Sequence, residues 1–189
     1  MTTGDDPASS MPGRRALVAP VGLSLDIDIG ETCLGEGDWP TTIETAVSAA
    51  LHHGLSGPLP KAELYVALVP NAQSQQLNAQ YRDKDYATNV LSFPATGPEE
   101  LSGALKVSAC GGPSVMLGDL IIADSVVADE ATAQHKSMAA HLSHLVVHGV
   151  LHLLGYDHMD DSEAVEMEAL ERETLKSLGF GDPYEANEE

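Results

Sequence analysis

The segment from residue 142 to residue 158 constrains the fold of this chain most strongly. Between residues 142 and 154, leucine and valine occupy almost every side of a helix with 3.6-residue periodicity. A helix that is apolar all round must be buried. Gly155 follows directly, and glycine commonly ends a helix because it adopts positive φ without strain. The segment therefore predicts a buried central helix over about 137–154.

The other apolar patterns predict an α+β fold. Alternating or short continuous apolar runs indicate four strands, at about 23–29, 64–69, 90–93 and 117–123. Helical spacing indicates further helices at about 43–54, 71–82, 124–134 and 161–178. The stretch between the last two strands is rich in Gly, Pro, Ser and Glu and is predicted to be a loop. Four strands and about five helices form one α+β layer.

The chain is long enough for one domain with a core of its own. We expect that domain at residues 21–185, after a flexible extension at 1–20 and before an acidic tail at 186–189. In the last helix, Asp160 and Glu163 have the spacing of a capping box. Its predicted core face consists of Val165, Met167, Leu170, Thr174 and Leu178.

The chain is strongly acidic, with a formal net charge of −20. Taken alone, this charge argues against nucleic-acid binding, because phosphate backbones repel such a surface. Much of the acid is concentrated in residues 157–173 and 183–189, as expected of a solvated helix and tail. No apolar run is long enough to span a bilayer, so we expect a cytoplasmic protein without a membrane partner. Cys33 and Cys110 are far apart in sequence and are predicted to be reduced thiols.

Three histidines at the end of the central helix have the spacing of metal ligands. His148 and His152 are four residues apart and share one helix face, with Cβ atoms about 5–6 Å apart. The turn after Gly155 lets His158 return toward them. Three protein ligands and an open position are typical of a catalytic zinc site. The spacing therefore predicts one zinc ion per chain, although nickel or copper also suits imidazole ligands, and hydrogen-bonded core histidines are the alternative.

Two neighbours are candidates for supporting roles. His144 lies one turn before His148, but His144 and His152 are about 12 Å apart along the axis, too far to share one ion directly. His144 is therefore a candidate for a position behind the ligands or on a path to them. Asp157 is the nearest acid and is a candidate to orient a ligand or accept a proton. Gly149 occupies the position where H-E-x-x-H metalloproteases carry their glutamate base, which argues against a peptidase.

A second segment, LNAQYRDKDYATNVLSFP at residues 77–94, holds two of the nine basic residues. Arg82 and Lys84 follow a predicted helix. They complement the helix C-terminus and pair with Asp83 and Asp85, or Arg82 reaches an anionic substrate such as a phosphate. The residues alone leave both readings open.

Three segments carry a resemblance to a known family, namely residues 77–94, LGDLIIA (117–123) and HLVVHGVLHLLGYDHMDDSEAVEMEALE (144–171). In these segments the chain resembles the YbeY family of bacterial endoribonucleases, also called rRNA maturation factors. The similarity covers residues 60–185, with Ala87 where proline is expected. The resemblance implies a small mixed sheet packed by helices around a central metal-binding helix, forming a catalytic domain.

The resemblance also implies an activity. It makes His148, His152 and His158 ligands of a zinc-like ion and Arg82 the basic residue needed for RNA cleavage. The implied reaction is metal-dependent hydrolysis of single-stranded RNA, in 16S rRNA 3′-end maturation and ribosome quality control. The acidic surface suggests that the ribosome or a ribosomal protein supplies affinity. Two alternatives are a ribosome assembly factor with a structural metal and a zinc hydrolase of another bond.

Overall fold

The computed structural model describes residues 22–30, 34–158 and 160–185. The strands in this part of the chain are β1 (Leu23–Ile29), β2 (Ala62–Val69), β3 (Val90–Pro94) and β4 (Val115–Ala123). The helices are α1 (Trp39–Gly54), α2 (Asn71–Arg82), α3 (Pro98–Ala109), α4 (Asp124–Ala133), α5 (Met138–Leu153) and α6 (Asp161–Ser177). The expected extension at 1–20 and tail at 186–189 lie outside the described residues, as does Cys33.

The strands form one mixed sheet in the order β1-β2-β4-β3. β1, β2 and β4 run parallel, and β3 pairs antiparallel with β4. β1, at the edge, alternates between partly buried and exposed residues, whereas β2 and β4 are mostly buried. The α+β fold with a small mixed four-stranded sheet is therefore confirmed.

α5 is the central helix of the fold. It packs against β3 and β4 of the sheet and against the helices α1, α4 and α6. Ten of its residues are buried, as its apolar circumference predicts. Its closest approach to the sheet is at Gly149, where a Cβ atom would lie 2.1 Å from Cδ1 of Leu120. The glycine is needed because the sheet leaves no space for a side chain next to His148.

The predicted loop between β3 and β4 is wrong, because this stretch contains α3. Pro98 occupies the first turn, where a missing N–H costs nothing, and Glu99 and Glu100 favour the positive end of the helix dipole. Only Leu101 and Ser108 of this helix are buried. So little apolar surface gives almost no periodic signal, and the helix was not recognised.

The core face predicted for α6 is partly wrong. Met167 and Thr174 are buried, but Val165 is 66% exposed. Its place in the interior is taken by Glu171, which is fully buried. Val165 was assigned to the core because it is apolar. In the structure, α6 is oriented so that Val165 faces solvent and the carboxylate of Glu171 faces the interior.

The described helices and Cys110 bear on two further predictions from the sequence. None of the described helices combines the length and apolarity needed to cross a bilayer. Cys110 is a free, exposed thiol, as expected.

Candidate metal centre

The C-terminal end of α5 brings three imidazoles together. His148 and His152 project from one face of the helix, with ring centroids 4.5 Å apart. Gly155 then takes a φ of +94°, which reverses the chain. The hydroxyl of Tyr156 donates to the carbonyl of Gly54 (2.9 Å) and anchors the turn on α1. His158 consequently returns to the pair, with its ring centroid 4.9 Å from that of His152 and 5.7 Å from that of His148.

The ring nitrogens are oriented so that one ion can bind them. The Nδ1 atom of His148 lies 2.7 Å from Oε1 of Glu171, and Nδ1 of His152 lies 3.0 Å from the carbonyl oxygen of Tyr156. Both acceptors require an N–H at Nδ1, which leaves a lone pair on each Nε2 atom. The two Nε2 atoms are 3.1 Å apart. Tetrahedral zinc, with Zn–N distances of about 2.0–2.1 Å, holds two nitrogens about 3.3 Å apart, so the pair fits such an ion.

The third histidine completes the set. One ligand nitrogen from each of His148, His152 and His158 can be chosen so that all three lie within 4.8 Å of one another. Burial lowers the pKa of His152, and the neighbouring His148 and His158 lower it further, to about 4. His152 is therefore neutral near pH 7, the form in which imidazole binds a metal. The donor set suits a divalent transition metal ion.

The two predicted supporting residues lie next to this cluster and outside it. Asp157 is exposed, and its Oδ1 atom accepts the backbone N–H of His158 (2.8 Å), which helps to fix the turn that carries this ligand. His144 lies behind His148, with ring centroids 6.4 Å apart. Its Nε2 atom is 3.5 Å from Oε2 of Glu171, too long for a strong hydrogen bond.

Glu171 is a residue of the site that the sequence reasoning missed. Burial alone would raise its pKa, but contacts from His144, His148 and Tyr184 outweigh this effect and lower the pKa to about 2. The carboxyl group is therefore ionised and accepts a hydrogen bond from the Nδ1–H group of His148. The signal was present in the sequence, since Glu171 is four residues after Met167 and three before Thr174 on the buried stripe of α6.

Arg82 is the last residue of α2, and its side chain is exposed. The expected pairing with Asp83 or Asp85 is not present: among the described residues, no carboxylate forms an ion pair with Arg82 or Lys84. The preceding residue, Tyr81, packs edge-on against Phe93 of β3, with ring centroids 5.1 Å apart. The guanidinium group is thus available to an external anion.

An open cavity of about 440 Å³ lies next to the histidine cluster. His152, Leu153 and Gly155 line one side of it, and residues 94–98 together with Leu101 line the other. His152 is the member of the histidine cluster that lines this cleft, and Arg82 is not among the lining residues. The site therefore combines three histidine nitrogens that can meet at one ion with an accessible cleft, and Arg82 is an exposed cation outside the cleft lining.

The fold and the site together define an α+β domain with a candidate three-histidine metal centre. Residues 33–179 match the family model of endoribonuclease YbeY. The endoribonuclease YbeY of Xanthomonas oryzae pv. oryzae (strain MAFF 311018) is 55% identical over 130 residues, covering 69% of this chain and 76% of the relative. That of Pseudomonas putida (strain W619) is 54% identical over 127 residues, covering 67% and 74%. The chain belongs to the endoribonuclease YbeY family, which confirms the resemblance seen in the sequence.

A solved structure supports the fold alone. The solution structure of TM1509 from Thermotoga maritima aligns with a TM-score of 0.51 and 21% identity, covering 86% of this chain and 99% of that one.

Proposed function

We propose that this chain is a metal-dependent endoribonuclease that cleaves single-stranded RNA, acting in 16S rRNA 3′-end maturation and ribosome quality control in the cytoplasm. Membership in the endoribonuclease YbeY family supports RNA cleavage. The observation that carries metal dependence is the group of three histidine nitrogens within 4.8 Å of one another, with His152 lining an open cleft.

The protein's own residues divide the work in this proposal. His148, His152 and His158 hold the ion next to the cleft that His152 lines. Arg82 binds the phosphate and stabilises the charge that develops on it during cleavage. A zinc ion at the histidines would act as a Lewis acid toward a phosphoryl oxygen and favour deprotonation of the attacking group.

The geometry at Gly149 argues against a peptidase of the H-E-x-x-H type. A peptidase of the H-E-x-x-H type needs a glutamate at this position as its base. Here a Cβ atom at residue 149 would meet Cδ1 of Leu120 at 2.1 Å, so a glutamate would require the buried Leu120 side chain or the helix to shift. A zinc peptidase of that type is therefore disfavoured by the packing of α5 as well as by the sequence.

The acidic surface shapes how the substrate is recognised. Because the net charge is −20, contacts with the phosphate backbone of free RNA should add little to the affinity of the isolated chain. We assign most of the affinity to the ribosome or a ribosomal protein, and only the local phosphate to Arg82 and the ion. Tight binding of free RNA with a steep salt dependence would contradict this assignment.

The test compares wild type with His152→Ala, using His52→Ala on the exposed side of α1 as the matched control. Each protein is assayed for bound metal by mass spectrometry and for cleavage of a single-stranded RNA. Wild type and His52→Ala should hold about one ion per chain and cleave, as one three-histidine site predicts, whereas folded His152→Ala should do neither. Equal cleavage by all three would refute the proposal. Metal binding without cleavage would favour an assembly factor with a structural ion.

A further inference from the structure

We propose that Glu171 is a positioning residue for the metal centre. Its buried carboxylate holds the ring of His148 so that Nε2 faces the ion, and the C-terminal segment, through Tyr184, holds the carboxylate. The inference rests on the proposed function in one respect, namely that the three histidines bind a metal ion.

The contact between Glu171 and His148 determines which nitrogen is free. Oε1 of Glu171 is 2.7 Å from Nδ1 of His148, a short hydrogen bond between a buried anion and a ring N–H. The bond keeps the proton on Nδ1 and prevents the ring from flipping. A carboxylate on the far side of a ligand imidazole also makes the ligating nitrogen more basic, which strengthens metal binding.

The surroundings of Glu171 do not explain a charged residue by packing alone. Its side chain is fully buried on a stripe of α6 that also contains Met167 and Leu175. Burying a carboxylate is costly unless it is fully hydrogen-bonded, and an apolar residue of similar size stabilises such a position as well or better. The charge therefore serves the histidine that it contacts, and the helix places it there at a cost in stability.

The C-terminal segment completes the hydrogen bonding of the carboxylate. The hydroxyl of Tyr184 donates to Oε2 of Glu171. Burial raises the pKa of Tyr184, and the hydrogen bond to Glu171 raises it further, so the hydroxyl keeps its proton. Arg172 fixes the segment, because its Nε atom is 3.1 Å from Oδ2 of Asp182 and its guanidinium lies 4.8 Å from the centre of the Tyr184 ring.

The experiment measures metal affinity in the full chain. Glu171→Gln keeps the shape and one acceptor oxygen but removes the charge, whereas Glu171→Met removes both acceptors. The matched control is Glu173→Gln on the same helix, because the exposed carboxylate of Glu173 lies 3.6 Å from Nδ1 of His53 and outside the contacts among Arg172, Tyr184 and Glu171. The zinc dissociation constant is obtained by chelator competition, and the visible spectrum of the cobalt(II) form reports the ligand geometry.

Loss of the charge in Glu171→Gln should weaken zinc binding by about 10-fold, and loss of the hydrogen bond as well in Glu171→Met by about 100-fold. The cobalt spectrum should change in the same order, and Glu173→Gln should match wild type. If the carboxylate of Glu171 had a purely structural role, its replacement would instead lower the melting temperature of the metal-free protein. The zinc affinity and the cobalt spectrum of the folded variants would then be unchanged.

Zinc affinities within about twofold of wild type in both folded Glu171 variants would overturn the inference, since the expected loss is at least tenfold. Glu171→Gln preserves the shape of the side chain, so it decides the question if Glu171→Met does not fold. Wild type that binds zinc and cleaves RNA, together with Glu171 variants of unchanged affinity, would refute this inference alone. Wild type without zinc binding would refute the metal-dependent function as well.

Discussion

The two sides of the candidate site differ in how firmly their functional side chains are held. On the α5–α6 side, the ring of His148 is fixed by Glu171 and that of His152 by the carbonyl of Tyr156. On the α2 side, Arg82 is exposed and forms no ion pair with the described residues. Metal ligands need a fixed geometry before the ion arrives, whereas a phosphate-binding cation gains its partner only when substrate binds. In the proposed function, this difference separates the residues that would hold the ion from the residue that would bind the substrate.

The largest effect is expected from His158→Ala, because it removes one of the three proposed metal ligands. The side chain of His158 is exposed, so its removal should leave the fold unchanged. Zinc affinity should fall by at least about 100-fold, and RNA cleavage should be lost, since only two ligands remain. The melting temperature of the metal-free protein should match wild type. A folded variant that retains both metal and cleavage would show that the cluster does not act as one site.

Arg82→Ala should reduce RNA cleavage by about 100-fold, as does loss of one group that stabilises transition-state charge. Because Arg82 has no partner among the described residues, stability should change by less than about 0.5 kcal/mol, and metal content should not change. Lys84→Ala is the neighbouring control and should lose less activity. Cleavage by Arg82→Ala at the wild-type rate would remove the functional distinction between the two sides.

Gly149→Ala tests the rigidity of the α5 side. The added methyl group would meet Leu120 at 2.1 Å, and overpacking of this kind costs about 1–3 kcal/mol in the free energy of unfolding. Gly103→Ala is the control, because no atom lies within 4 Å of its Cβ position and the residue is inside α3. Chemical denaturation should show destabilisation at 149 and a gain of about 0.5–1 kcal/mol at 103. Equal stabilities would mean that α5 packs less closely on the sheet than described.

Ser137→Ala should have the smallest effect and separates stability from site geometry. The hydroxyl of Ser137 accepts the N–H of Ala140 (3.2 Å) at the start of α5, far along the helix from the histidine cluster. Removing this cap should cost about 1 kcal/mol of stability. Zinc affinity and cleavage should stay at wild-type levels at 25 °C. A marked loss of metal binding would indicate that the whole helix, and not its C-terminal end, sets the site.

The parts of the fold with strong apolar periodicity could be predicted from the sequence. α5 is surrounded by core on nearly all sides, so its sequence shows both its type and its ends. α3 could not be predicted in the same way, because Leu101 is its only buried apolar residue. Local spacing is informative only where packing forces a repeating pattern.

The histidine cluster could be predicted for a similar reason, since helix geometry and one glycine turn bring His148, His152 and His158 together. Glu171 was missed although its spacing from Met167 and Thr174 puts it on the buried stripe of α6, because its contact with His148 depends on how α6 rotates against α5. The same rotation exposes Val165, which was expected in the core. Contacts between helices far apart in sequence are set by tertiary packing, and residue type alone assigned both positions wrongly.

The most direct test of the central claim is a zinc titration of metal-free wild type with RNA cleavage measured at each step. Cleavage should be absent without zinc, rise in proportion to zinc added, and reach a plateau at about one ion per chain, as one three-histidine site predicts. Full cleavage by protein free of zinc and other divalent transition metals would contradict the claim that His148, His152 and His158 hold a catalytic ion.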